Sequence, residues 1–175
     1  MSALLAEQHE GHWWTDKDEV EVLTFNLGGE TFALEAVTVQ EILDLLPETA
    51  VPGASAFVAS VINFRGKVIP LADLRLAFAM ERTEATIDSR IIVIQIDLQG
   101  EETLIGLMTD KVNEVTTLAK SASELPPSVG MRWRADFIRC LVKRAGQFII
   151  IPDLNTIFSS RHEAGRGTTD LSAKG

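Results

Sequence analysis

The chain has 175 residues, 46% of them hydrophobic and 23% charged, a composition that fits one globular domain or two small ones. Its net charge of −9 works against long-range attraction to nucleic acid. A single cysteine, Cys140, excludes an internal disulfide, no apolar run is long enough for a membrane span, and no signal-peptide pattern opens the chain, so a cytoplasmic protein is expected. The charge is uneven: residues 1–50 hold eleven acids and one base, Lys17, while the remainder is close to balanced.

Residues 1–18 read as a flexible tail, dispensable for partner binding. His9 and His12 have the spacing of a ligand pair, but no further Cys or His lies near, so no metal site is expected. Trp13-Trp14 can act as a tether or pack on the edge of the body, and packing is the reading preferred. Glu19 to Leu27 alternates as a strand, Gly28-Gly29 turns, and Thr31 to Glu35 pairs back. Val37 to Leu43 is ambiguous between a helical turn and a strand. Pro47 and Val51-Pro52-Gly53 make a loop.

Val61-Ile62-Asn63-Phe64, the turn Arg65-Gly66 and Lys67 to Leu71 form the next hairpin. Pro70 cannot donate a ladder hydrogen bond, which predicts that its strand lies at an edge or ends nearby. Asp73 is placed to cap a short helix, Leu74 to Phe78. Beyond the polar connector 81–88, Arg90 to Leu98 is a strand centred on Ile91-Ile92-Val93-Ile94. Gln99-Gly100 turns it, and Thr103 to Thr109 returns. Val112 to Leu118 reads as a further short strand, and Ala119 to Arg134 as irregular. Phe137 to Lys143 and Gln147 to Ile151 make a last hairpin around Ala145-Gly146, with Cys140 a buried hydrophobe within it. Pro152-Asp153-Leu154 opens a final helix, and residues 160–175 read as a disordered tail. Residues 19–159 are therefore the expected body.

An internal repeat runs through it. Gly66-Lys67-Val68-Ile69, Asp73-Leu74 and Phe78 match Gly146-Gln147-Phe148-Ile149, Asp153-Leu154 and Phe158 at a constant offset of 80. Val39-Gln40-Glu41-Ile42 matches Val112-Asn113-Glu114-Val115 at an offset of 73. The chain reads as two small barrel-like β units of similar plan.

Motifs for catalysis are missing. There is no phosphate-binding glycine loop, nucleophile elbow or Cys-x-x-Cys, and all three histidines fall in the expected tails. Asp73 and Asp153 fit helix capping better than paired carboxylates. Glu41 and Arg65 stand closely bracketed by apolar runs. They read equally as a structural ion pair and as the polar spot of a binding surface. Two rivals remain: an enzyme, if Glu41, Asp73, Asp153 and Cys140 converge, and a nucleic-acid-binding barrel built on the basic stretch Arg132 to Arg144.

At Val39-Gln40-Glu41-Ile42, Val61-Ile62-Asn63-Phe64-Arg65-Gly66, Pro70 and Asp73-Leu74-Arg75, the chain resembles the CheW family, the coupling adaptors of bacterial chemotaxis. Gly106 to Asp110 with Val112 to Val115 fits a later family signature. The resemblance covers about Val20 to Phe158. Ser60 stands where the family usually has Gly, Phe64 where it has Leu, and Cys140 where it has Gly. The resemblance implies a mainly β fold of two intertwined SH3-like five-stranded barrels with a few short helices, a groove between them and no cofactor. It implies a non-catalytic scaffold that binds the cytoplasmic tip of chemoreceptors and the regulatory domain of a CheA-type histidine kinase, recruited to receptor arrays. By family position Val39, Glu41, Asn63, Arg65, Gly66 and Val68 are the expected partner-binding residues. Ser60 neighbours the kinase surface. The fold also serves pilus motility and other chemosensory pathways.

Overall fold

The computed structural model describes residues 13–52, 58, 60–127 and 134–159. His9, His12, His162 and the stretch 160–175, on which some expectations fall, lie outside them. The alternating run after residue 18 forms β1 (Glu19–Leu27), paired through the glycine turn to β2 (Glu30–Glu35). The ambiguous stretch is both structures in succession, a 3-10 turn over Ala36–Thr38 and then β3 (Val39–Leu43). β4 (Thr49–Ala50), β5 (Ser60–Phe64), β6 (Lys67–Ala72) and α1 (Leu74–Ala77) complete the first repeat. β7 (Arg90–Leu98), β8 (Glu101–Thr109), β9 (Lys111–Ala119), β10 (Ser123–Glu124), β11 (Ile138–Arg144) and β12 (Gln147–Pro152) follow, with a closing helix, α2, over 154–159. Among the described residues no helix is long and apolar enough to cross a membrane.

The strands form two six-stranded sheets, ordered β10-β11-β12-β2-β1-β9 and β3-β7-β8-β6-β5-β4. Exchanging each strand of one sheet for its repeat counterpart yields the other. The repeats therefore share strands: hairpin β1–β2 joins β9 to β12, and hairpin β7–β8 joins β3 to β6. The unions are parallel ladders, Ile149↔Thr31 with Ile150↔Phe32, and Leu71↔Gly106 with Ala72↔Leu107. Each sheet has six strands rather than five because β4 and β10, two residues long, add short edges in stretches whose sequence carries no strand pattern. Of the two placements expected for Pro70, the nearby strand end is observed, since β6 stops at Ala72, and the sheet edge is not, since β6 lies between β8 and β5. Pro70 is accommodated because the ladder to β8 engages only Leu71 and Ala72, so no bond on that side needs its nitrogen.

Three clusters of buried side chains explain the continuous apolar runs. Leu23, Phe25 and Leu27 of β1, and Ile92, Ile94 and Ile96 of β7, point into one core shared by both sheets. The alternate residues Val20 and Val22 face a second cluster, and Ile91 and Val93 a third. A strand buried on both faces has no polar face to show, hence Ile91-Ile92-Val93-Ile94. Phe78, just after α1, packs in the shared core, its ring centroid 5.2 Å from that of Phe32 and 6.4 Å from that of Phe137. Gly106 is forced by packing: a Cβ there would lie 3.2 Å from side-chain atoms of Ile62 and Ile91.

The packed body begins before Glu19. Trp13 and Trp14 are only 7% and 8% exposed and stack edge-on within the cluster that holds Val20, Leu118 and Cys140. Lys120 N–H donates to the Asp18 carbonyl at 2.8 Å, tying the same segment to the end of β9. The aromatic pair overrides the polar composition around it.

Asp73 caps α1 through Arg75 N–H, 3.1 Å away, and does more than cap. Arg75 folds back on it with two charge-assisted bonds of 2.9 Å, and both side chains are buried. That bond, more than any other contact, pushes the guanidinium pKa up. The same guanidinium donates to Thr83 Oγ1 at 2.7 Å and to Asp110 Oδ1 at 3.4 Å. Asp110 Oδ2 in turn accepts from Gly28 N–H in the β1–β2 turn, at 2.8 Å. One arginine thus links the helix that follows one sheet to a turn of the other.

Two measurements check these contacts. Trp14→Ala is expected to cost about 3 kcal/mol in denaturant melting, and an unchanged midpoint would return residues 13–18 to the tail. Arg75→Met leaves buried Asp73 with only the longer 3.4 Å contact to exposed Arg82 and is expected to cost about 3 kcal/mol. Adding Asp73→Asn, which keeps a good cap, should recover part of that loss, whereas additive losses would mean the two side chains are not a pair.

Candidate functional site

The β5–β6 hairpin turns at Arg65 (φ +51°) and Gly66 (φ +80°), the two positive φ values of a type I′ turn. Asn63 Oδ1 accepts from Gly66 N–H at 3.0 Å and braces it. A left-handed non-glycine residue costs about 1 kcal/mol, but Gln99 and Ala145 take the same place in sister hairpins. The strain therefore belongs to the hairpin plan and does not single out Arg65.

What singles out Arg65 is its partner. Its guanidinium lies 2.9 Å from Glu41 Oε2 and 5.1 Å from the centre of the Phe64 ring. Glu41 is on β3, an edge of its sheet, whereas Arg65 joins β5 to β6 near the opposite edge. The contact exists only because the sheet curls until its ends meet, so the pair spans the seam of a barrel. Arg65 is 72% exposed and Glu41 36%, so solvent screens the pair and it stabilises the fold by at most about 1 kcal/mol. Val68, cross-strand from Asn63 on the same hairpin, is 71% exposed, an apolar side chain with no fold reason to face water.

Of the expected site residues, Glu41, Asn63, Arg65, Gly66 and Val68 gather around this hairpin. Val39 is set apart from them: it is half-buried, packs against the shared core, and is separated from Glu41 by a register shift in the β3–β7 ladder. Ser60 is buried at the start of β5 and donates to Glu48 Oε2 at 3.0 Å, which satisfies the hydroxyl.

The other barrel repeats the clasp. Arg144, at the end of β11, pairs with Glu114 of β9 at 3.0 Å, again between one edge strand and a hairpin near the other. Val115 and Phe148 are exposed beside it, as Ile42 and Val68 are in the first copy. The repeat match marked Glu114, but its arginine sits one residue before the position equivalent to Arg65, which hid the pair. The Arg75 cluster was also missed. Its only sequence signal is a basic residue two places after a cap.

The carboxylates and thiol that an enzyme would need do not converge. Asp73 is held by Arg75, Asp153 Oδ1 caps α2 by accepting from Thr156 N–H, Glu41 is on the seam, and Cys140 lies with the tryptophans. Among the described residues no group of three His, Cys, Asp or Glu side chains could hold a metal ion. Within the basic stretch, Arg134 is paired to Asp136 and stacked on Phe137, and Arg144 is paired to Glu114, so these two cations are already engaged.

A CheW-like domain model matches residues 21–162. The chemotaxis protein CheW of Rhizobium meliloti is 29% identical over 140 residues, 80% of this chain and 88% of that protein. The Bacillus subtilis chemotaxis protein CheW is 30% identical over 138 residues, 78% and 85% of the two chains. The crystal structure of the scaffolding protein TtCheW from Thermoanaerobacter tengcongensis superposes with a TM-score of 0.70 at 30% identity, covering 79% of this chain and 92% of that one. With two sheets of matching plan and a family model spanning both, the chain belongs to the CheW-like domain family.

Proposed function

We infer that this chain is a non-catalytic scaffold of chemotaxis signalling that couples chemoreceptors to a CheA-type histidine kinase. Family membership over both units carries the pathway. The screened Glu41–Arg65 clasp beside exposed Val68 supports the placement of a contact surface. An arginine that adds little to the fold is free to be spent on a partner. Buried under a partner, its guanidinium gains charge-assisted hydrogen bonds that water now supplies, while Val68 supplies apolar area. The proposed partners are the cytoplasmic tip of a chemoreceptor and the regulatory domain of the kinase. Two similar seams, Glu41–Arg65 and Glu114–Arg144, give a scaffold two distinct faces on one rigid body, which suits simultaneous contact. The proposed location is the cytoplasm, at receptor arrays.

Arg65→Ala tests this reading. The melting midpoint should move by no more than a change of about 0.5 kcal/mol implies. Affinity for receptor or kinase should fall by about 1–3 kcal/mol, as for a desolvated anchor. Glu41→Ala should weaken the same partner, and the double variant should lose less than the sum of the two. Affinity lost only in proportion to unfolding would make the arginine structural and remove the surface from this assignment.

A further inference from the structure

The two repeats differ at one place that the fold leaves open. Asp73-Leu74-Arg75 corresponds to Asp153-Leu154-Asn155, so the buried arginine of the first copy is a short amide in the second. Where Arg75 fills its junction, the equivalent junction holds a cleft of about 260 Å³ whose walls include Asn155, Trp13, Glu35, Asp97, Glu102 and Arg139. The correspondence extends to the walls. Asp97 matches Asn26, whose carbonyl accepts from Asp110 N–H in the filled junction. Trp13 precedes β1 much as Thr83, a direct partner of Arg75, precedes β7.

Acidic side chains outnumber basic ones along the cleft: Glu35, with exposed Asp97 and Glu102, against the single guanidinium of Arg139. Glu35 and Arg139 attract each other but make no direct side-chain bond to any described residue. Burial pushes the Glu35 carboxyl above its ordinary pKa of 4.5, with Arg139 opposing, which is the state of an acid short of a close positive partner. Asp97 and Glu102 each accept one bond, from Gly100 N–H and from Gln95 Nε2, both at 2.8 Å, and retain free lone pairs. Trp13 adds an aromatic wall.

We propose that this cleft receives an arginine side chain supplied by a partner protein, in the place that the chain's own Arg75 fills in the other unit. A planar guanidinium can share bonds among separated carboxylates and lie against the indole, which a lysine ammonium does less well. The inference stands on the repeat and the cleft and does not depend on which pathway the scaffold serves.

The probe is N-acetyl-argininamide, titrated into the full chain and followed by the Trp13 indole N–H signal in NMR, with the norleucine analogue as the uncharged control. The arginine probe should shift that signal saturably and the norleucine probe should not. Glu35→Gln should weaken binding at least about fivefold while leaving the spectrum otherwise folded. Asn155→Arg should abolish binding and raise the melting temperature by supplying the missing side chain from within. Equal binding of both probes, or unchanged affinity in Glu35→Gln, overturns the proposal. Removing residues 160–175 should leave the affinity unchanged. A tenfold gain would mean that the chain's own tail, with Arg161 and Arg166, is the occupant and not a partner.

Discussion

Burial of β1 and β7 on both faces is the constraint on which the rest depends. Each sends alternate residues into the core between the sheets and the others into the interior of its own sheet. Neither sheet could stand alone, because Phe25, Phe32, Ile92 and Ile94 would then face water. Apolar area of that extent sets which elements must stay together long before any charged contact matters. The charged pairs refine an arrangement that burial has already imposed.

Strand exchange follows from the same constraint. The first hairpin of each repeat pairs with the later strands of the other, so the shared core is closed by chain from both halves. The two junctions that result are chemically unequal. One is locked by a buried guanidinium with carboxylates on two elements, and its counterpart, with Asn155 at the matching place, stays open beside Glu35 and Arg139. The duplicated fold thus keeps its plan while the side chains at its two junctions differ, and one junction is filled where the other is concave.

The seam clasps are secondary to this body. A curled sheet brings its ends together, and the hairpin at that closure is braced from below by Ile62, Phe64 and Ile69. The packing beneath its tip thus does not involve Arg65. Exposed Val68 and the screened ion pair combine apolar area with a directional charge, the two ingredients of a compact contact. The second barrel carries the same pattern with exposed Phe148 in place of valine, so the two faces share a plan and differ in shape.

Local pattern determined a great deal. The alternation in Glu19–Leu27 and the isoleucine run at Arg90–Leu98 set both strands to the residue, and the X-Gly pairs set the hairpins, because strand period and left-handed turns are written in neighbouring side chains. The repeat was legible, and so was the family, since Asn63 to Arg75 keeps its spacing within one short segment. Packing of Trp13-Trp14 was the preferred reading as well, but tertiary structure alone decided which repeat's strands pair with which, that residues 13–18 join the body rather than the tail, that Pro70 lies between two strands, and that Arg75 reaches Asp110. Those outcomes depend on residues far apart in sequence meeting across a core. Polar composition around Trp13, a proline in β6 or a basic residue after a cap carries no record of the element that will be packed against it.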